Sequence, residues 1–208
     1  MSMMVFFQQT EQLQYLVQQA LPEMIRIRGS GIRHKLMVWS AGCFSGEEPY
    51  SLGIVLSEFA ARYPGLGFHF LILATDASPN VLTTARKAIY HEDSVQLVPS
   101  GLRRKYLLRS KDQSQKLIRV NSQIRDVVRF RRVRSLDGEL SFREPIDIIF
   151  CSSLNSQVGK DTWSRLTASF CRYLMPGGYL FLRDPHPQIE AQVPLQLVAP
   201  TIYKRIEL

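Results

Sequence analysis

Three carboxylates stand where a chain can use them. Glu47 and Glu48 follow directly on the small-residue stretch Gly42-Cys43-Phe44-Ser45-Gly46, and Asp76 closes the next apolar run. Glycines in such a loop let backbone approach a ligand with no Cβ in the way. A dinucleotide loop would read GxGxxG and offer its helix N-terminus to a pyrophosphate. Two carboxylates at that helix start would repel a pyrophosphate and suit an amine or ribose hydroxyls instead. Asp76 stands where an acid commonly accepts hydrogen bonds from a ribose. S-adenosylmethionine has the matching groups: a cationic sulfonium, an ammonium, a ribose and no phosphate. The same residues also read as a well-capped helix, since acids in a first turn complement the helix dipole. The spacing leaves both readings open.

The elements that must position these groups follow from periodicity. Leu36 to Trp39 has the length of a buried strand, and Pro49 to Ala61 has a helical apolar face. Phe68 to Ala74 predicts a second strand ending at Thr75 and Asp76, and Ser78 or Pro79 starts the next helix. Ile146 to Cys151 is a third strand, apolar apart from Asp147. Thr162 to Leu174 predicts an amphipathic helix and Tyr179 to Leu182 a strand after the Pro176-Gly177-Gly178 turn. The last two strands fall at Leu195 to Val198 and Thr201 to Ile206. Wholly apolar strands alternating with helices predict a doubly wound, mostly parallel α/β sheet covered on both faces. Before it, residues 1–35 predict a helix capped by Thr10, ended or kinked at Pro22, and then a basic linker.

The net charge of +8 is localised. Residues 101–134 hold 12 Lys or Arg and two acids, Asp112 and Asp126. This stretch predicts a small basic β-rich insertion, with alternating strands near Lys116 to Val120 and Val127 to Val133. Arg129, Arg131, Arg132 and Arg134 are its candidate docking surface for an acidic protein partner. Nucleic acid is a poorer fit, because Tyr106 and Phe130 are the only aromatics there for stacking. Cys43, Cys151 and Cys171 lie far apart and form no CxxC pair, which predicts reduced thiols in a cytoplasmic chain without metal. No apolar run reaches the roughly 20 residues of a membrane span.

One resemblance ties these features together. "WSAGCFSGEEPYSLG" resembles the first motif of the CheR-type chemotaxis receptor methyltransferases. "ILATDASPNVLTTARKAIY", "LRRKYLLR", "IRDVVRF", "IDIIFCSS", "LMPGGYLFL" and "TIYKR" follow in family order. The resemblance implies a Rossmann-like fold that transfers a methyl group from S-adenosylmethionine to glutamate carboxylates on a chemoreceptor. It implies that Gly42 and Glu48 contact the methionine end of the cofactor and that Asp76 takes the ribose. Cys43, Gly46, Ser135, Leu136 and Ser153 join them as cofactor-binding positions. It also implies that the basic insertion corresponds to a subdomain that docks a receptor tail peptide in some members.

The departures cluster at the chemistry. The family's "T.FFR" aligns with "MVFFQ", which puts Met4 for threonine and Gln8 for arginine. Its "NL" aligns with Ser135-Leu136. Its "CRNV.IYF" aligns with "CSSLNSQVG", which puts Ser153 for asparagine and Gln157 for tyrosine. Its late "G.sE" aligns with Arg183-Asp184-Pro185-His186. The positions that orient a substrate carboxylate are thus Gln8 and Gln157, and impaired or altered activity is expected. A non-catalytic interaction module in a signalling system is the alternative. The resemblance implies an N-terminal helical domain for which the residues ahead of the motif leave no room. Arg86 reads equally well as facing the pocket and as a solvated helix position, and Arg183, Asp184 and His186, after a strand end, read better as an ordinary rigid loop. His34, His69 and His91 have no ligand spacing.

Overall fold

The computed structural model describes residues 4–136, 138, 142, 144–152, 159–184 and 193–207. The strands, in chain order, are β1 (Leu36–Ala41), β2 (Phe70–Asp76), β3 (Ile89–His91), β4 (Leu107–Arg109) and β5 (Leu117–Val120). They continue with β6 (Val128–Arg132), β7 (Ile146–Cys151), β8 (Leu174–Leu182), β9 (Leu195–Ala199) and β10 (Ile202–Arg205). The helices are α1 (Thr10–Tyr15), α2 (Leu21–Arg28), α3 (Glu47–Arg62), α4 (Pro79–Lys87), α5 (Ser100–Tyr106), α6 (Ser122–Arg125) and α7 (Lys160–Tyr173).

The main sheet has the order β6-β2-β1-β7-β8-β10-β9, with β10 antiparallel to β8 and to β9. The first five of these are parallel neighbours. β1 and β7 sit at its centre and are buried along their whole length, which is why both read as unbroken apolar runs. One face packs Val38, Ile72, Phe150 and Phe181 against α1 to α3 in a single core. The opposite face packs Trp39, Ile149 and Leu180 against Trp163, Leu166 and Phe170 of α7. Strand order reverses between β1 and β7, which puts a crevice at the carboxyl ends of β1, β2 and β7.

Asp147 is the polar exception in β7 and is 1% exposed. Its carboxylate accepts from Ser30 Oγ at 2.9 Å and from the Met37 N–H at 2.8 Å, with His34 Nε2 at 3.4 Å. It therefore ties the connection after α2 to the first strand.

Three expectations are corrected. The strand expected at 127–133 in the insertion pairs in parallel with β2 as an edge of the main sheet. The small antiparallel sheet is instead β3-β5-β4. Arginines alternate along β6 because an edge strand has water beside it, and alternation alone does not say to which sheet a strand belongs. Of the two outcomes expected at Pro22, an end or a kink, the end is not found, because the helix runs on through it. A π-helical turn at Leu16–Ala20 leads into α2, whose second residue it is. A wider i→i+5 turn accommodates the missing N–H and the ring. Thr10 is the first helical residue and not the cap, and its hydroxyl donates to the Phe7 carbonyl at 2.9 Å.

Candidate cofactor site

The β1–α3 loop and the end of β2 are stitched together by backbone. The Gly42 and Cys43 N–H groups both donate to the Thr75 carbonyl, at 2.8 and 2.9 Å. The Phe44 N–H donates to Asp76 Oδ2 at 3.1 Å and the Ser78 N–H to Oδ1 at 2.9 Å. Gly42 and Asp76 thus meet at one sheet end. Ser78 caps α4 through its side chain, so Asp76 holds the loop on one side and a helix entry on the other.

Gly46 precedes α3 with φ 102 and ψ 2, a conformation that side-chain-bearing residues rarely adopt. A Cβ there would lie 2.8 Å from Tyr90 Oη, which is itself fixed by donating to the Ser45 carbonyl at 2.6 Å. Gly46→Ala is expected to lower stability by about 1–3 kcal/mol, measured by urea unfolding. An unchanged midpoint would show that the loop relaxes freely.

Glu48 is held from two strands. Ser40 Oγ, on β1, donates to its Oε1 at 2.5 Å, and Ser152 Oγ, just past β7, donates to its Oε2. Burial pushes its carboxyl up to about 7, against the lowering effect of the Ser40 hydroxyl and the Ser152 backbone. Glu47 is buried too, with both carboxylate oxygens accepting from Ser45 Oγ at 2.8 Å. Burial raises its carboxyl above the ordinary value. Burial likewise raises the Cys43 thiol, helped by the charges of Asp76 and Glu48, so Cys43 stays a thiol.

The N-terminal segment closes over this group. Phe6 is fully buried edge-on against Tyr90, and the Phe7 N–H donates to Ser51 Oγ at 3.0 Å. Phe7 has φ 60, a strained value for a residue with a side chain. That bend sets exposed Gln8 beside a cavity that Glu48 and Ser152 also line. The cavity holds about 30 Å³, room for roughly one water.

The structure brings together Gly42, Cys43, Gly46, Glu48, Asp76 and Gln8. Ser135 and Leu136 lie on the loop leaving β6, whose Val133 N–H donates to the Asp76 carbonyl. The Leu136 carbonyl accepts from Ser169 on α7. Ser153 and Gln157 lie outside the described residues. Ser40 and Ser152 were missed by sequence reasoning; the one available signal was a hydroxyl at the end of each apolar run. Arg86 turns to the sheet edge and donates to the Phe130 carbonyl at 3.1 Å. Arg129 donates to the Asp126 and Val128 carbonyls and Arg132 to that of Ala77. Among the described residues no group of three or more His, Cys, Asp or Glu is placed to hold a metal. No described helix is long and apolar enough to cross a membrane.

A doubly wound sheet with an antiparallel hairpin at one end, and carboxylates where its first two strands stop, defines a Rossmann-like methyltransferase-type domain. The model of the family "CheR methyltransferase, SAM binding domain" matches residues 3–185, and the chain belongs to that family. It is 30% identical over 200 residues to a chemotaxis protein methyltransferase of Borreliella burgdorferi, covering 96% of this chain and 69% of that one. It is 33% identical over 185 residues to chemotaxis protein methyltransferase 1 of Pseudomonas aeruginosa, covering 86% of this chain and 63% of that one. Among solved structures it overlays the glycopeptide N-methyltransferase MtfA complexed with S-adenosyl-L-methionine, at 13% identity and a TM-score of 0.47. That overlay covers 86% of this chain and 53% of the other. The cofactor of the domain is S-adenosylmethionine. The donor set fits it, with the carboxylates of Glu48 and Asp76 for a cation and hydroxyls and no cationic phosphate clamp in the loop.

Proposed function

We propose that the chain transfers the methyl group of S-adenosylmethionine to a carboxylate of a chemoreceptor or related signalling protein, with impaired or altered activity. The observation that carries the reading is Glu48, desolvated and gripped by Ser40 and Ser152 at the crevice, with Asp76 fixed at the next strand end. Glu48 would hold the cationic end of the cofactor and Asp76 the ribose, with the Gly42–Gly46 backbone beneath. The cofactor supplies a methyl electrophile on a positive sulfur. An ionised acceptor carboxylate needs no base, so the contribution of the chain is alignment and exclusion of water. Gln8 is neutral and exposed, and it orients a carboxylate less firmly than a cation would. That observation also favours a second reading, a cofactor-binding interaction module with no turnover. In either reading the basic edge around Arg129, Arg131, Arg132 and Arg134 is the side offered to an acidic partner.

Calorimetric titration with S-adenosylmethionine tests the site, and a label-transfer assay on chemoreceptor membranes then separates the two readings. Asp76→Asn is expected to weaken binding about tenfold, the size of one hydrogen bond to a charged group. No heat at millimolar ligand for the parent chain would reject the cofactor site.

A further inference from the structure

A second cavity adjoins the first. It is a groove between α1 and the β9–β10 turn, lined among others by Gln8, Gln9, Gln12, Tyr15, Arg183 and Thr201. It encloses about 550 Å³, ample for a side chain with its flanking backbone. Arg183 follows the last residue of β8, which is parallel to β7, so the groove opens at the same end of the sheet as Glu48. Gln8 and Gln9 line both cavities. One side of this wall therefore meets Glu48, and the other meets the groove.

We propose that this groove receives the acceptor's carboxylate side chain, with Arg183 as the cation that binds it. The inference rests on the reading that Glu48 lies at the methionine end of the cofactor. Gln8 brings no charge to the shared wall, and Arg183 is the only Lys or Arg among the described lining residues. Arg86, Arg129 and Arg132 spend donors on backbone carbonyls. Arg183 is half-buried, and among the described residues no carbonyl or carboxylate pairs with it, so its planar donor set faces the groove uncommitted. Its backbone is fixed from below. Gln12 is 6% exposed, and its Nε2 donates to the Leu182 carbonyl and to Thr201 Oγ1, both at 2.6 Å. This pins α1, the end of β8 and the β9–β10 turn to one another.

The chemistry balances without a proton. One carboxylate oxygen, with the other held by Arg183, forms the new C–O bond. The methyl–sulfur bond breaks, its electron pair goes to sulfur, and the products are an ester and a neutral thioether. Loss of the acceptor's charge on methylation then weakens its hold on Arg183, which favours product release. Glu11 also lines the groove, is exposed, and opposes an anionic guest.

The test needs no turnover. The isotope-labelled chain, saturated with S-adenosylhomocysteine, is titrated with N-acetylglutamate N-methylamide while the Arg183 Nε–H signal is followed by NMR. A saturable shift of that signal is expected, with none for the uncharged glutamine analogue. Arg183→Gln should weaken binding about tenfold, Arg183→Lys by less, and Glu11→Gln should tighten it. An unmoved Arg183 signal, or equal binding by Arg183→Gln, would overturn the assignment. The Gly42 and Phe44 amide signals report the cofactor analogue in the same samples. Their silence, with Arg183 still responding, would count against the cofactor reading and leave the groove as a carboxylate site.

Discussion

Glu48→Gln is expected to raise stability at about pH 8 by up to roughly 3 kcal/mol, while weakening S-adenosylmethionine binding at least about tenfold. The sign follows from where the proton sits. Unfolded, the carboxyl loses its proton near its ordinary value of 4.5; folded, it keeps it to about 7. Between these values the folded state binds more protons, so this group's contribution falls as pH rises and is fully lost above about pH 7. A neutral amide removes that slope. The comparison is urea unfolding of parent and variant from acid to mild alkali, with the difference between the curves isolating Glu48 from Glu47. Superimposable curves would show that water reaches the carboxylate and that no desolvation is stored there. The same carboxylate should make cofactor affinity rise with pH through about 7, because the ionised form attracts the cation. Function here is held at a cost in stability.

Asp147→Ala should be the most destabilising single change, by about 3–5 kcal/mol. Removing the carboxylate leaves the Met37 N–H and the Ser30 hydroxyl buried without their acceptor. It also cuts the tie between the N-terminal helix pair and β1. Ser30→Ala, which removes one donor and leaves the Met37 bond, should cost about 1–2 kcal/mol. A loss below about 1 kcal/mol for Asp147→Ala would mean that water replaces the carboxylate.

Much of this was legible in the chain. β1, β2 and β7 are short apolar runs because they are covered on both faces. The loop that joins Gly42 to Glu48 announced itself by glycines followed at once by acids. What failed to show had physical reasons. β6 reads as a half-wet strand, since a parallel strand at an edge has the same alternation as one in a small antiparallel sheet. Pro22 reads as a stop or a kink, and a π turn with one residue in excess carries the helix through it. Ser40 and Ser152 carry no pattern, because a single hydroxyl becomes informative only once two strand ends bring it to a shared carboxylate. Arg183 gave a weak signal, a cation just past a strand end, and its meaning depends on Gln8 arriving from a distant part of the chain.

The guanidinium contacts along β6 also bear on how the molecule behaves in a crowd. An edge strand is a template on which a second chain can add, and filament growth begins that way. Here Arg129 and Arg86 already donate to the Val128 and Phe130 carbonyls, so an incoming strand must first displace them. It must also approach the exposed side chains of Arg129, Arg131 and Arg132. Two copies meeting edge to edge would bring like charges together. The same arginines that are proposed to meet an acidic partner would thus keep the sheet from extending through its own kind.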